Sequence, residues 1–298
     1  METTNRIQFK KPNLTELIKQ YTVVDLHFHT HYSDGNNSIA EIAKQAEKLN
    51  IGVAITDHNE IRGAVEIDSY KDILSIPGIE ITSKEGTHIL VYFYDIKSLK
   101  RFYENDVEPF LGETIMSSTS LKMEEIIQRA TEYKTVTVFP HPYSPVFTGI
   151  YNDYFPQERL DQLFKMVDGV EVINSGNLKK SNLKCALLGF NLNKAISGGS
   201  DGHALVCLGK VVSYAQCKPS RKAFLDAIKK KRNKVIGKEI NMLRKMTTNG
   251  RKIRTGLKHY PDLVEKNLKY GYTFINLKSK RLKDNVKRRI NGKASTVI

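Results

Sequence analysis

The stretch VVDLHFHTHYSDGNNSIAEIAKQAEKLNIGVAITDHN, residues 23–59, decides the fold class. It opens and closes on short β-type runs, VVDLHFH (23–29) and GVAITDH (52–58), and between them its apolar residues recur at helical spacing. Ser38 and Glu41 stand three apart ahead of that helix as a capping box, each side chain meeting the other residue's backbone N–H. Strand, helix and strand in this order predict a βαβ unit with parallel strands. Five further runs extend the pattern: LSIPGIEIT (74–82), HILVYFY (88–94), TVTVFPH (135–141), GVEVINS (169–175) and NKAISGGSD (193–201). Residues 95–119 (helix, then loop) and 142–158 (aromatic, turn-rich) read as insertions.

The chain's 298 residues, 40% hydrophobic and 27% charged, suffice for a full core and place it among globular proteins. No apolar run approaches the length of a bilayer-spanning helix, and the N-terminus lacks the apolar stretch of a signal peptide. Cys185, Cys207 and Cys217 show no C-x-x-C spacing, so neither a disulfide framework nor a thiolate zinc site is expected, and a reducing, cytoplasmic setting fits. The net charge of +15 is uneven. Residues 1–215 hold 22 Lys/Arg against 27 Asp/Glu, residues 216–298 hold 25 against 5. A basic C-terminal third suits a polyanion, nucleic acid before membrane, or equally a solvated lysine-rich surface. From residue 216 the pattern changes to KPSRKAFLDAIKKKRN, a helix with Pro219 near its start, then the short run VIG and basic helical sequence, an appendage by pattern.

Six of the eight histidines, His27, His29, His58, His88, His141 and His203, fall at the edges of the expected strands. His27-x-His29 puts two imidazoles on one strand face, because side chains alternate with period two, and Asp34 follows in a Ser-Asp-Gly turn. Asp201-x-His203 repeats the spacing behind Gly198 and Gly199, which would let the backbone pass close to a ligand. Imidazoles mixed with carboxylates suit Mn, Fe or Zn rather than Ca. An isolated H-x-H is most simply a buried core pair, but that reading leaves His58, Glu80, His141 and Asp201 at strand ends unexplained.

DLHFHTHYSDG, ITDHN, PGIEIT with His88 soon after, FPHP and SGGSDGH, in that order, resemble the motifs of the PHP (polymerase and histidinol phosphatase) family, most closely its stand-alone metal-dependent phosphoesterases. The resemblance spans roughly residues 22–237 and implies a PHP domain over 20–237, a distorted (β/α)7 TIM-like barrel, followed by a basic, mainly helical extension over 238–298. It also implies three divalent cations at the C-terminal strand ends. His27, His29 and Asp201 would hold one, Asp34, His58 and His203 another, and His88 with His141 the third, Glu80 bridging from it to the first. Asn59 departs from the acidic residue that often follows the Asp-His pair, and FPHPYSP lacks an arginine found in some relatives.

The expected chemistry is phosphoester hydrolysis by a metal-bridging hydroxide, with no protein nucleophile. Outside the metal shell, three residues are catalytic candidates, each with a plainer reading. His31 is a phosphate contact or proton donor to the leaving group, or else a surface histidine. Asp57 orients a ligand imidazole or caps the next helix; Arg62 clamps phosphate or forms a surface salt bridge. Asn174 and Asn177 read as loop residues supporting the site, and His259 as a surface residue. The substrate is nucleic acid or nucleotide, engaged through the basic C-terminal third, with Tyr143, Phe147, Tyr151, Tyr154 and Phe155 stacking bases or forming a small satellite core. The alternatives are a small phosphomonoester and a non-catalytic, metal-stabilised polyanion-binding module.

Overall fold

A computed structural model describes residues 6–144, 148–152 and 155–239. These belong to a unit spanning residues 1–249; a second unit, 250–298, lies outside the described residues, as does His259. In chain order the elements are β1 (Ile7–Gln8), α1 (Leu14–Leu17), β2 (Thr22–Phe28), α2 (Ile39–Leu49), β3 (Gly52–Ile55), α3 (Arg62–Ile67), β4 (Gly78–Thr82), β5 (His88–Phe93) and α4 (Ile96–Phe102). There follow α5 (Met123–Thr131), β6 (Thr135–Phe139), α6 (Gln157–Met166), β7 (Gly169–Asn174), α7 (Lys179–Asn191), β8 (Ala195–Gly199), β9 (Val211–Ala215), α8 (Arg221–Lys229) and β10 (Lys234–Gly237). All seven expected strands form. The capping box forms too: Ser38 accepts from the Glu41 N–H while Glu41 accepts from Ser38 N at 2.9 Å.

The fold is mixed α/β. Its ladders make two five-stranded sheets, ordered β1-β10-β9-β2-β3 and β4-β5-β6-β7-β8, rather than one continuously bonded barrel. Single bridges join them, Val53 to Ser75 and His58 to Glu80 on one side and Phe28 to Gly202 on the other. An irregularity in β2 between Asp25 and Phe28 breaks its ladder to β3 just where the H-x-H pair sits.

Period-two alternation sorts each strand into two faces. In the β4–β5 hairpin, Ile79 and Ile81 stand opposite Val91 and Ile89 and join the large core beneath the helices. Glu80 stands opposite Leu90, and Thr82 opposite His88, so both site residues share a face with Leu90 and Tyr92. That inner face is floored by a second cluster, in which Leu26, Leu90, Tyr92, Val136 and Val138 meet Phe224, Leu225, Ala227 and Ile228 of α8.

The basic sequence after residue 216 is therefore no appendage through residue 237. The lysines of α8 face outward while Phe224, Leu225, Ala227 and Ile228 are buried, Arg221 bonds Asp68 and Ser75, and β10 pairs with β9 and β1. Gly198 and Gly199 also serve a different purpose from the one expected. A Cβ at Gly199 would lie 2.4 Å from the Cβ of His27, and one at Gly198 would lie 2.3 Å from a methyl of Val235, so the close approach is strand on strand, not backbone on ligand.

Because Phe224 is fully buried in this floor, Phe224→Ala should destabilise the protein by about 3–5 kcal/mol through cavity formation. Denaturant unfolding followed by circular dichroism measures this; a loss below about 1 kcal/mol would place α8 outside the core.

Candidate metal centre

Glu80 is 1% exposed and its carboxylate is the hub of the inner face. Its Oε1 lies 3.0 Å from His88 Nδ1 and 3.2 Å from His141 Nε2; its Oε2 lies 3.1 Å from His58 Nδ1, 3.3 Å from His27 Nε2 and 3.4 Å from His29 Nε2. Five imidazoles thus reach one buried carboxylate. They arrive by ordinary strand geometry. His27 and His29 leave the end of β2, His58 follows β3, and His141 follows β6. His88 begins β5 rather than ending it, but β5 runs antiparallel to β4 and so starts at the same end.

The remaining donors close around these. Asp201 Oδ1 lies 3.2 Å from His29 Nε2 and 3.5 Å from His27 Nε2. Asp34 swings back from its turn to put Oδ2 2.9 Å from His203 Nε2, and its Oδ1 lies 3.7 Å from His29 and 3.9 Å from His58. All nine residues expected to be ligands converge. Three overlapping groups have donor atoms within 4.8 Å of one another: His27, His29 and Asp201; His29, Asp34, His58 and His203; and His58, Glu80 and His88. The first matches the expected triad, and the second contains the other triad with His29 added. The third joins His58 to Glu80 and His88, with His141 reaching the same carboxylate.

The donor chemistry fits divalent cations. His29 Nδ1, His58 Nδ1 and His141 Nδ1 are buried without a hydrogen bond, the 3.1 Å approach of His58 Nδ1 to Glu80 lacking the geometry of one, although buried polar atoms are normally satisfied. His27 and His29 also point their Nε2 atoms at each other across 3.1 Å. Burial pushes the Glu80 carboxyl up, but the rings of His88, His27 and His58 and the bond from His141 hold it well below the usual range. Asp201 is likewise held down against burial, chiefly by His27. Burial pushes His27 down, yet Glu80, Asp201 and Glu171 hold it well above the ordinary imidazole value. His58 is lowered to about 3 by burial, Glu80 opposing and His29 adding to the effect, which keeps it a neutral donor.

Glu171 gave no signal in the expected site, yet supports two ligands. Its Oε1 lies 3.1 Å from His27 Nδ1, and its Oε2 accepts from the His141 backbone N and from Asn174 Nδ2, each at 2.9 Å. His141 has φ +32°, a left-handed conformation costly for a ring-bearing residue, and the bond from its N–H to Glu171 helps hold it there. The available clue was one carboxylate in GVEVINS, a strand otherwise apolar enough to be buried on both faces. Asn174 also donates to Asp201 Oδ2 at 3.2 Å, from the last residue of β7 rather than from a loop. Asn177 is buried beside it, its N–H bonded to the Asn174 carbonyl.

Asp57 acts differently from either expectation. It is buried and accepts from Thr30 N and Thr30 Oγ1, both at 2.7 Å, and from Ser33 Oγ, so it fastens the loop carrying Asp34 rather than an imidazole or the N-terminus of α3. Arg62 takes the surface-pair reading: its side chain, 63% exposed, bonds Glu60 Oε2 at 2.7 Å and covers the Tyr32 ring. A guanidinium already bonded to a carboxylate is not poised for phosphate. His31 is exposed, with Nδ1 3.2 Å from the Asn37 carbonyl. Tyr143 and Tyr151 stack on each other, centroids 4.4 Å apart, and Tyr151 continues to Phe164, so these rings pack against the large core rather than forming a small satellite. Phe155 is buried; Phe147 and Tyr154 lie outside the described residues.

The PHP domain matches residues 25–136 of this chain. Uncharacterized protein MJ1587 of Methanocaldococcus jannaschii is 33% identical over 163 residues, covering 51% of this chain and 81% of its own length. The chain belongs to the PHP family. Among solved structures, a two-domain protein from Bacteroides vulgatus containing a predicted PHP-like metal-dependent phosphoesterase aligns with TM-score 0.55 and 18% identity, over 78% of this chain and 68% of its own. The lesion-specific endonuclease PfuEndoQ from Pyrococcus furiosus aligns with TM-score 0.58 and 21% identity, over 72% of this chain and 58% of its own. At these identities the likeness is one of fold, and this PHP chain's site stands on its own geometry. Among its described residues no helix is long and apolar enough to cross a membrane.

Glu171→Gln keeps size but replaces a charged acceptor with an amide. Metal titration of this variant should show affinity lowered about 10- to 100-fold, as for other outer partners of metal-binding histidines; unchanged affinity would reduce Glu171 to a packing role.

Proposed function

We propose that this PHP chain is a metal-dependent phosphoesterase that hydrolyses phosphoester bonds of nucleic acid or nucleotide substrates, using three divalent cations, of Mn, Fe or Zn. The observation that carries this reading is the convergence of nine imidazole and carboxylate side chains on the strand ends around Glu80. His27, His29 and Asp201 would hold one cation, Asp34, His58 and His203 a second, and His88 with His141 a third, Glu80 being shared. We read the two bridged sheets as the distorted (β/α)7 barrel of the family, with residues 20–237 as the PHP domain and 238–298 as its basic extension.

When bound, such a cluster supplies Lewis acidity toward phosphoryl oxygens and a lowered pKa for water. The side chains do the rest. Glu80 and Asp201, kept ionised by surrounding imidazoles, hold negative charge where cations must gather. Glu171 fixes the ring of His27 and the backbone of His141, and Asp57 fixes the loop of Asp34. Buried rings on this face exclude bulk water, which strengthens each electrostatic contact. His31, exposed on the loop between His29 and Asp34, is assigned the role of meeting a leaving group. Asp57 is a positioning residue in this reading, and Arg62 a surface partner of Glu60.

One observation favours the second reading, a small phosphomonoester. β9 runs antiparallel to β2 and sets Ala215 opposite Thr22, so α8 and its basic flank begin at the end of β2 remote from His27. Five residues of strand separate the two ends, about 17 Å. Lys229, Lys230, Lys231 and Arg232 therefore do not line the mouth, and a nucleic acid engaging both would have to extend around the domain. The endonuclease PfuEndoQ shares the fold, which keeps the polymeric substrate as the first reading.

The test is a metal-reconstituted assay on generic mono- and diesters and on labelled oligonucleotides. Exhaustive chelation should reduce turnover by at least about 100-fold, and Mn should restore it. Full turnover by the chelated protein, or none on any ester after reconstitution, would contradict the proposal. Oligonucleotide affinity that falls steeply with salt marks the polymeric substrate; turnover of small monoesters indifferent to salt marks the second reading.

A further inference from the structure

Residues 110–120 form a closed loop whose ends meet, Ser120 N donating to the Phe110 carbonyl at 2.9 Å, and whose tip is a turn in which Ser117 N donates to the Thr114 carbonyl at 2.9 Å. The tip is bolted down by one side chain. Asn59 Nδ2 donates to the carbonyls of Ile115, at 2.7 Å, and Ser117, at 2.9 Å, while Asn59 Oδ1 accepts from Thr82 N at 2.9 Å. Asn59 follows His58 directly, and its own N–H donates to the carbonyl of Glu80 at 2.8 Å. One buried amide thus ties the loop tip to the two strand ends that carry His58 and Glu80. Thr119 adds two bonds to the Thr82 carbonyl, from N and Oγ1, each at 2.9 Å.

Chemistry limits which residue can do this. Asn59 has φ +49°, a conformation that Gly, Asn and Asp tolerate far better than other residues. Of the three, only Asn offers an N–H pair to two carbonyls and an oxygen to an N–H. An aspartate here would turn its carboxylate oxygen toward the same two carbonyls and repel them.

We propose that Asn59 is a positioning and specificity-determining residue: it seats residues 111–119 as a wall beside the His58–Glu80–His88 group, and this wall limits how wide a phosphoester the site admits. The inference rests on the phosphoesterase reading for its substrate part only.

The test compares the full-length protein with Asn59→Asp and Asn59→Gly, both compatible with the backbone, the second removing the amide without adding charge. Hydrogen exchange is read on the protein without substrate. Losing the two Nδ2 hydrogen bonds to the loop, about 1 kcal/mol each, predicts exchange in residues 111–119 faster by roughly 10- to 30-fold, with β3 and β4 unchanged apart from Thr82, whose N–H loses its acceptor in Asn59→Gly. With Mn present, both variants should raise KM for p-nitrophenyl phosphate several-fold while kcat changes little, and should raise the rate on bis-p-nitrophenyl phosphate relative to it. A purely structural role predicts exchange accelerated across β3 and β4 and equal loss on both esters at constant KM, and that result overturns the proposal. Unchanged protection of 111–119, or a loosened loop with KM and the ester ratio both unaltered, also overturns it. If the parent protein hydrolyses neither ester, the phosphoesterase reading and the selectivity claim fall together, while the exchange result still decides whether Asn59 seats the loop.

Discussion

Burying the carboxylate of Glu80 is the constraint on which the rest of this structure depends. An isolated ionised carboxylate taken out of water costs several kcal/mol even after the protein relaxes, so the charge must be met by partners of opposite sign or fully directed donors. Five imidazole nitrogens meet it, and Asp201 and Asp34 are drawn into the same network. Protons shared among imidazoles satisfy such a cluster only in part, since three buried ring nitrogens have no hydrogen-bond partner. Divalent cations would satisfy it fully. The polar face is therefore a cost to folding that makes sense as a site, and the apolar floor of α8 with Tyr92, Leu90 and Val138 offsets that cost from the other end of the same strands.

Precision in the cluster comes from residues that touch no proposed cation. Glu171 and Asp57 each satisfy several donors from a single buried carboxylate, and each fixes one ligand-bearing segment. Asp25 does the same at the base of the site: burial raises its pKa to about 6, and it accepts from the N–H groups of Ser200 and Gly209, joining the strand of His27 to the loop of Asp201 and His203. Three residues in the left-handed region, Asn59, His141 and Asp201, lie at these junctions. Their backbone strain is held by bonds to neighbours, which is how a scaffold aims side chains that strand geometry alone would point elsewhere.

Much of this was legible in the sequence because it depends on local rules. Period-two spacing places His27 with His29, and β-type runs bounded by helical stretches give all seven expected strands. What escaped was set by tertiary context. The apolar stripe Phe224, Leu225, Ala227 and Ile228 is interleaved with lysines, so composition made α8 look like surface until the floor it fills was in view. Glu171 is a lone carboxylate with no repeating partner, and nothing in its neighbourhood shows that it reaches both His27 and His141. Asp57 stands out beside His58 in the sequence, but its partners Thr30 and Ser33 belong to a loop whose path only the fold determines. The sharing of His29 and His58 between neighbouring donor groups likewise needs three dimensions.

The most direct measurement is anomalous diffraction from crystals of the full-length protein loaded with manganese. The account predicts strong peaks amid the Glu80 cluster, each coordinated by members of the set His27, His29, Asp34, His58, Glu80, His88, His141, Asp201 and His203. Well-ordered crystals with no anomalous density there, or with manganese bound only elsewhere on the chain, would contradict it.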